Sequence, residues 1–401
     1  MAKFPFSFAF TLLRLAAAAT NLYVSSYDGN VTSLSLNIAG SDYNLSLISR
    51  YQQCGPSPSW LTWDRENRSL YCLDEGFTTP NGSITSYRAD KSGKLTMIEH
   101  LNLTAPAAVA GVIFGNQSFR GYAIAHYTGQ LSVMLLGNEP FSGPVQTINF
   151  TVDSAPGPNA ARQATPHPHQ AILDPTAEYI LVPDLGQDIV RVFCWGPDVN
   201  NNTLIEHPPL EVQKGSGPRH AAFWSSGKNS TNSTGIYLLV VTELANTITS
   251  YEVNYPLNGG LGFSEVYSTN TFGSATIPNN TFAGEIAVSP DKRYVVVSNR
   301  GDQSFQIPAY RNATGREYSD SLATYAINDN GTLSFKQIWP AGGLFPRHFS
   351  FNKVGDLVAV ALQHSERVVI LERDVKSGLI GIAVADEHVS GNATCVVWDE
   401  D

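Results

Sequence analysis

The chain has 401 residues and a net charge of −10, and only 15% of its residues are charged. With no cluster of Lys or Arg, that acidic balance excludes a nucleic-acid-binding surface as the organising feature. The length allows two or three ordinary domains, but β-rich chains of this size often fold as one.

The first residues, MAKFPFSFAFTLLRLAAAAT, combine Lys3, an apolar stretch and an alanine-rich end near Ala19. The pattern is that expected of a signal peptide over residues 1–19, followed by a single domain from 20 to 401. No other run approaches the roughly 18 apolar residues of a membrane span. Asn-x-Ser/Thr occurs at Asn30, Asn44, Asn67, Asn81, Asn102, Asn116, Asn149, Asn201, Asn229, Asn232, Asn279, Asn312, Asn330 and Asn392. These sequons lie mostly in polar turns and fit a secreted or cell-wall protein carrying N-glycans. The alternative is a cytoplasmic chain that is simply rich in Asn, Ser and Thr. The four cysteines, Cys54, Cys72, Cys194 and Cys395, are even in number, as two disulfides would require, and none has CxxC metal spacing. Three pairings are open, of which Cys54 with Cys72 is the most local.

Pairs of apolar strands recur along the chain. NLYVSSYDG and NVTSLSLN span Asn21 to Asn37, SLYCLDEG and ITSYRAD span Ser69 to Asp90, and RGYAIAHYTG and QLSVMLL span Arg120 to Leu136. YILVPDLG and IVRVF follow, then IYLLVVTEL and TITSYEVN from Ile236 to Asn254. RYVVVSNRG and SLATYAIN enclose a longer insert, and DLVAVALQHS and RVVILERD come last. Seven copies at a spacing of roughly 50 to 60 residues, all β, predict a seven-bladed propeller. A further strand precedes six of the pairs: SWLTWD, AAVAGVIF, HQAILDP, RHAAFW, GEIAVSP and RHFSFN. The final ATCVVWDE (Ala393 to Glu400) supplies the seventh, so strands from both ends of the chain share one blade and close the ring. The turns DPTAEY, SPDKRY and NKVGDL belong to the opposite end of the propeller, where Asp174 and Asp291 are expected to cap turns.

The leading strand of each blade lines the central channel. Its entrance shares one face with the exit of the next, antiparallel strand. Collecting those positions gives His167, His169, Arg219, His220, Glu285, Arg347 and His348 at the entrances. The exits supply Asp28, Asp74, Glu75, His126, Asp184, Glu243, Asn299, Arg300, Gln303 and His364. Six of the nine histidines fall at this one mouth, which favours a functional site over a structural cap. His220 and His348 each follow an arginine, so strand alternation turns them away from the channel into packing. His167 and His169 could share a metal with Glu243, but their spacing alone is a weak metal signal and no metal is expected. There is no GxSxG elbow for a serine nucleophile and no glycine-rich phosphate loop, and no cofactor is expected.

The motifs HPHQAILDPTAEYILVPDLGQDIVRVF, GPRHAAF, TELANTITSYE, FAGEIAVSPDKRYVVVSNRG and FPRHFSF resemble the lactonase family of seven-bladed propellers. That family contains 6-phosphogluconolactonases and fungal carboxy-cis,cis-muconate cyclases. The resemblance covers roughly residues 20 to 395. It implies a catalytic group of His169, Arg219, Glu243 and Arg300. His169 rather than His167 is a choice between neighbours in one motif. His167, Glu285, Arg347 and Asp184 are candidate substrate-binding residues.

These roles are chemically reasonable in themselves. A neutral imidazole moves protons near neutral pH, and arginine pairs carboxylates and stabilises oxyanions. The expected function is a lactonase or lactonising cyclase acting on a small anionic lactone, of sugar or muconate type. The alternative is a non-catalytic secreted propeller that binds a glycan or a protein.

Overall fold

The computed structural model describes residues 19–116, 119–137, 143–151, 156–195, 203–227, 235–310 and 314–400. The predicted leader therefore lies almost wholly outside the described residues, as do Asn201, Asn229, Asn232 and Asn312. The described residues form seven four-stranded antiparallel sheets, a two-stranded hairpin (Phe305–Pro308 with Arg316–Ser319) and no α-helix. Each sheet is a blade, and successive blades touch all the way round the ring. The expected seven-bladed propeller is what forms.

Blades 2 to 7 begin with Pro58–Asp64, Ala108–Asn116, Ile172–Leu173, Pro218–Ser225, Phe282–Val288 and Pro346–Phe351. Blade 1 takes its innermost strand, Ala393–Asp399, from the end of the chain and its next, Thr20–Ser26, from the beginning. Second strands such as Tyr179–Asp184 and Ile236–Thr242 are buried along their whole length. Each blade is covered on both faces by its neighbours, so these strands read as continuous apolar runs rather than alternating ones. The core is divided among the seams between blades. At the closing seam, Leu22, Val24, Val396 and Trp398 of blade 1 pack on Leu357, Ala359, Val368 and Ile370 of blade 7.

Of the three cysteine pairings, the local one forms: Cys54 and Cys72 are bonded, with Cα atoms 5.9 Å apart. The expectation of two disulfides is corrected, because Cys194 and Cys395 are free and lie in blades 4 and 1. On the blank face, Asp174 accepts the backbone N–H groups of Thr176, Glu178 and Tyr179, as its turn-capping role requires. No helix among the described residues is long and apolar enough to cross a membrane.

Ring closure should be visible in stability. Trp398 is buried in the closing seam and donates its indole N–H to the Ser350 carbonyl, whereas Leu257 is fully exposed. Trp398→Ala is expected to cost about 3–5 kcal/mol and Leu257→Ala less than about 0.5 kcal/mol in urea unfolding.

Candidate active site

The innermost strands share a defect at their channel end. In blade 5, Pro218 pairs with Thr242 and His220 with Val241, which leaves Arg219 unpaired. In blade 7, Pro346 pairs with Leu362 and His348 with Ala361, which leaves Arg347 unpaired. Ser59, Val109 and Thr394 take the same place in blades 2, 3 and 1. In blade 6, Gly284 and Glu285 together oppose Ser298. In blade 4, Pro168 bridges Asp184 while Ile172 pairs with Leu181, a one-residue shift close to His169.

Such a bulge breaks strand alternation, so successive side chains can turn the same way. The bulge residues Ser59, Val109, Arg219, Arg347 and Thr394 line one small cavity, which Trp60, His169, His220 and His348 complete. Its volume is about 10 Å³, on the order of one water. The expectation that His220 and His348 point away from the channel is therefore corrected: each enters the cavity beside its arginine.

Two buried carboxylates organise the cluster. Glu243 Oε2 accepts a hydrogen bond from Arg300 Nη2 at 2.8 Å and lies 3.2 Å from Arg219 Nε, a close ion pair without hydrogen-bond alignment. Glu243 Oε1 accepts from Arg162 Nη2 at 2.5 Å. Burial opposes ionisation of Glu243, but Arg300, Arg219 and Arg162 outweigh it and hold the carboxyl at about 2. Arg219 is 2% exposed and donates to the Gly284 carbonyl at 2.9 Å; burial and Arg300 bring it down to about 9, still cationic at neutral pH. Arg300 also donates to the carbonyls of Phe282 and Ala283, which fixes its fork.

Glu285 Oε1 lies 2.9 Å from His220 Nδ1, and Oε2 lies 3.6 Å from His348 Nε2. Burial opposes its ionisation too, but His220, His348 and Arg219 hold it at about 2. Burial drives His220 down to about 4, so it is neutral at pH 7. Burial, then Arg219, His220, Arg347 and Arg300, keep His169 well below the ordinary imidazole value. His169 is thus a neutral base among guanidiniums. Its Nδ1 lies 3.2 Å from His220 Nε2.

The rim is aromatic. His167 stacks on Tyr127 at 4.2 Å and its Nδ1 donates to the Tyr127 carbonyl. His364 stacks on Phe345 at 4.1 Å, and Phe345 in turn faces the Arg300 guanidinium. Arg347 faces the Tyr27 ring and lies 3.4 Å from Glu75, which also accepts the Tyr27 hydroxyl.

His169, Arg219, Glu243, Arg300, Glu285 and Arg347 are therefore brought together, with His167 at their edge. Asp184 is not among them. It is fully buried, accepts the His167 and Gly186 amides and is gripped by Arg191 Nε and Nη2. Asp74 holds the Ser57 amide in the same way in blade 2. Both are clasps that fasten an inner-strand entrance, so the reading of Asp184 as substrate-binding is corrected.

Arg162, Tyr127 and Trp60 were not anticipated. Arg162 sits in the irregular connection before the HPH motif, anchored by buried Gln163, which donates to Asp188 and to the Leu185 carbonyl. No strand periodicity reaches that segment. Among the described residues, no group of three His, Cys, Asp or Glu could hold a metal ion.

The family model described as "Lactonase, 7-bladed beta-propeller" matches residues 21–398. The chain belongs to that family. An Arthroderma benhamiae protein named "Probable 6-phosphogluconolactonase" is 26% identical over 348 residues, covering 85% of this chain and 80% of its own. The Bacillus subtilis 6-phosphogluconolactonase is 26% identical over 325 residues, covering 80% and 82%. The solved periplasmic gluconolactonase of Pseudomonas aeruginosa superposes with a TM-score of 0.73 at 23% identity, over 95% of this chain and 99% of its own, a likeness of fold.

Glu243 links the site to stability. Its carboxyl lies at about 2 against an ordinary 4.5. Its contribution is therefore complete above pH 4.5 and lost as pH falls toward 2, on the order of 3 kcal/mol. Urea unfolding from pH 6 to 2.5 should show a shallower decline for Glu243→Gln than for the wild type, with Glu285 and the buried histidines contributing to the slope that remains.

Proposed function

We propose that the protein hydrolyses small anionic sugar lactones at the channel mouth. The observation that carries this reading is a neutral, buried His169 with Arg219, Arg347 and Arg300 set around it, in a member of the lactonase family. His169 takes a proton from water as the water oxygen bonds to the lactone carbonyl carbon. The carbonyl electron pair moves to oxygen, and the guanidiniums of Arg219 and Arg347, which line the same cavity, stabilise the oxyanion. On collapse, the ring C–O bond breaks and the ring oxygen takes the proton back from His169, leaving a hydroxy acid.

Glu243 holds Arg219, Arg300 and Arg162 in place and leaves the field positive toward the mouth. Of those three, Arg162 has the most exposed side chain, 34%, and is the first cation an incoming phosphate or carboxylate meets. The cavity beside His169 is water-sized, so the lactone ring sits outside it, against the Tyr127–His167 stack. The same residues suit cyclisation of a muconate. The sugar lactone is favoured because the relatives carry 6-phosphogluconolactonase names.

With glucono-1,5-lactone and 6-phosphogluconolactone as substrates, His169→Gln is expected to lower kcat by about 10²–10⁴-fold. Arg162→Ala should raise KM for the phosphorylated lactone more than for the neutral one. Equal turnover by wild type and His169→Gln would remove the site assignment. Binding without turnover of any sugar or muconate lactone would favour the non-catalytic glycoprotein.

We further propose that the protein acts outside the cytoplasm. The Cys54–Cys72 disulfide and the exposed sequons at Asn44, Asn67, Asn81, Asn102, Asn116, Asn149, Asn279 and Asn330 support this. Asn392 is half-buried. Asn30 is withdrawn as a glycan site, because its side chain is buried where it opens the second strand of blade 1. Treating the secreted protein with an N-glycan-removing amidase should lower its mass by several glycans. An unmodified intracellular protein would contradict export.

A further inference from the structure

Glu285 and His220 reach His169 through its Nδ1 edge, and catalysis by His169 alone gives them no part. Glu285 extends from the innermost strand of blade 6 and His220 from that of blade 5, while His169 stands at the entrance of blade 4. The three are 4%, 2% and 7% exposed. His220 Nδ1 lies 2.9 Å from Glu285 Oε1, and His169 Nδ1 lies 3.2 Å from His220 Nε2. Trp60 packs edge-on against His220 at 5.8 Å and against His348 at 5.1 Å, which fixes both rings.

Proton positions follow from what each atom can do. Glu285 is ionised and only accepts, and it already takes the Ile286 amide on Oε1. His220 must therefore carry its proton on Nδ1. A neutral His220 then presents a lone pair at Nε2, which only a proton on His169 Nδ1 can meet. His169 Nε2 is left unprotonated, and it makes no hydrogen bond among the described residues. His348 is not a competing end of the chain. Its Nδ1 accepts the Val396 amide at 3.3 Å, so its proton sits on Nε2 and faces Glu285 Oε2.

We propose that Glu285 and His220 form a proton relay behind His169: they are positioning residues that set its tautomer and disperse the charge it acquires. When His169 Nε2 gains a proton, its Nδ1 proton passes to His220 Nε2. The cation then resides on His220, directly against the Glu285 carboxylate. This eases an electrostatic difficulty: Arg219, Arg347 and Arg300 all oppose a cation on His169, whereas at His220 the opposition of Arg219 and His348 is set against direct attraction by Glu285. The remaining titratable neighbour of His169 is Tyr127, edge-on at 5.7 Å. Those of Glu285 are His348, Arg219 and Cys395. Glu243 is committed to arginines, so Glu285 is the carboxylate that can accept the relayed charge. Glu285 is accordingly reassigned from substrate contact to relay.

The inference rests on His169 being the base of the proposed hydrolysis, so its test has one readout with activity and one without. The first is the tautomer of His169 and His220 in the intact protein, read from long-range ¹H–¹⁵N couplings after histidine labelling. The wild type is expected to show Nδ1–H at both rings, and Glu285→Gln a mixture with Nε2–H. An Nε2–H tautomer at His169 in the wild type would overturn the relay. The second is the pH profile of kcat on glucono-1,5-lactone. Glu285→Gln and His220→Gln are expected to lose about 10- to 100-fold in plateau kcat, part of what a placed base supplies, with KM little changed. Removing the Glu285 charge lowers the affinity of the pair for a proton, so the acid limb should move to lower pH in Glu285→Gln. A variant that folds, with unchanged plateau and limb, would refute the relay. Correct tautomers with no lactone turnover would instead refute the hydrolase reading and leave the hydrogen-bonded chain standing.

Discussion

An antiparallel ladder with one residue too many on the inner strand is the constraint on which this molecule depends. A regular strand would show every second side chain to the channel. The extra residue at the mouth end of each inner strand lets two neighbours face inward, so GPRH and FPRH each deliver both an arginine and a histidine. Repeated around seven blades, a local defect becomes a ring of unpaired positions. Those positions carry the charged residues of the site where they are Arg219, Glu285 and Arg347, and its walls where they are Ser59, Val109 and Thr394.

That ring concentrates charge where water is scarce, and the arrangement of counterions follows. A buried guanidinium without a partner is costly. Glu243 meets the buried Arg219 and Arg300 and the partly exposed Arg162, and Glu75 meets Arg347, while Tyr27 and Phe345 cover guanidinium faces. Glu285 is kept apart from this neutralisation and faces imidazoles. The result is two carboxylates with different tasks: one builds a rigid cationic clamp, and the other supports a base that the clamp would otherwise make too weak. The clasps at Asp74 and Asp184 fasten the strand entrances from outside, so the side chains within do not have to hold the backbone.

Much of this was legible in the sequence because it is periodic. The seven strand pairs, the leading strands, the closure by ATCVVWDE and the identity of the mouth all follow from repetition and antiparallel geometry. The facing of His220 and His348 did not, because it was read from strict alternation, which holds only without a bulge. A signal was present: proline stands just before the unpaired residue in SPSW, GPRH and FPRH, and proline inside an apolar run marks a place where the ladder is broken. Arg162 left no such trace, since it reaches the site from an irregular connection held by the buried Gln163. Asp184 misled because its position at the strand exit matches that of Glu243 closely enough to suggest a shared task. The ladder sets Glu243 one residue farther along than Asp184, and the bonds to Arg191 and the His167 amide complete the separation.

The central claim is that one mouth gathers a base and an anion clamp around a single ligand. A crystal structure with gluconate, the hydrolysis product of glucono-1,5-lactone, tests it most directly. The account predicts the carboxylate on a guanidinium of Arg219 or Arg347 and the hydroxyl released from the ring donating to His169 Nε2, with the rest of the polyol against Tyr127 and His167. Gluconate bound away from the channel mouth, or at the mouth with its carboxylate turned from both arginines, would contradict it.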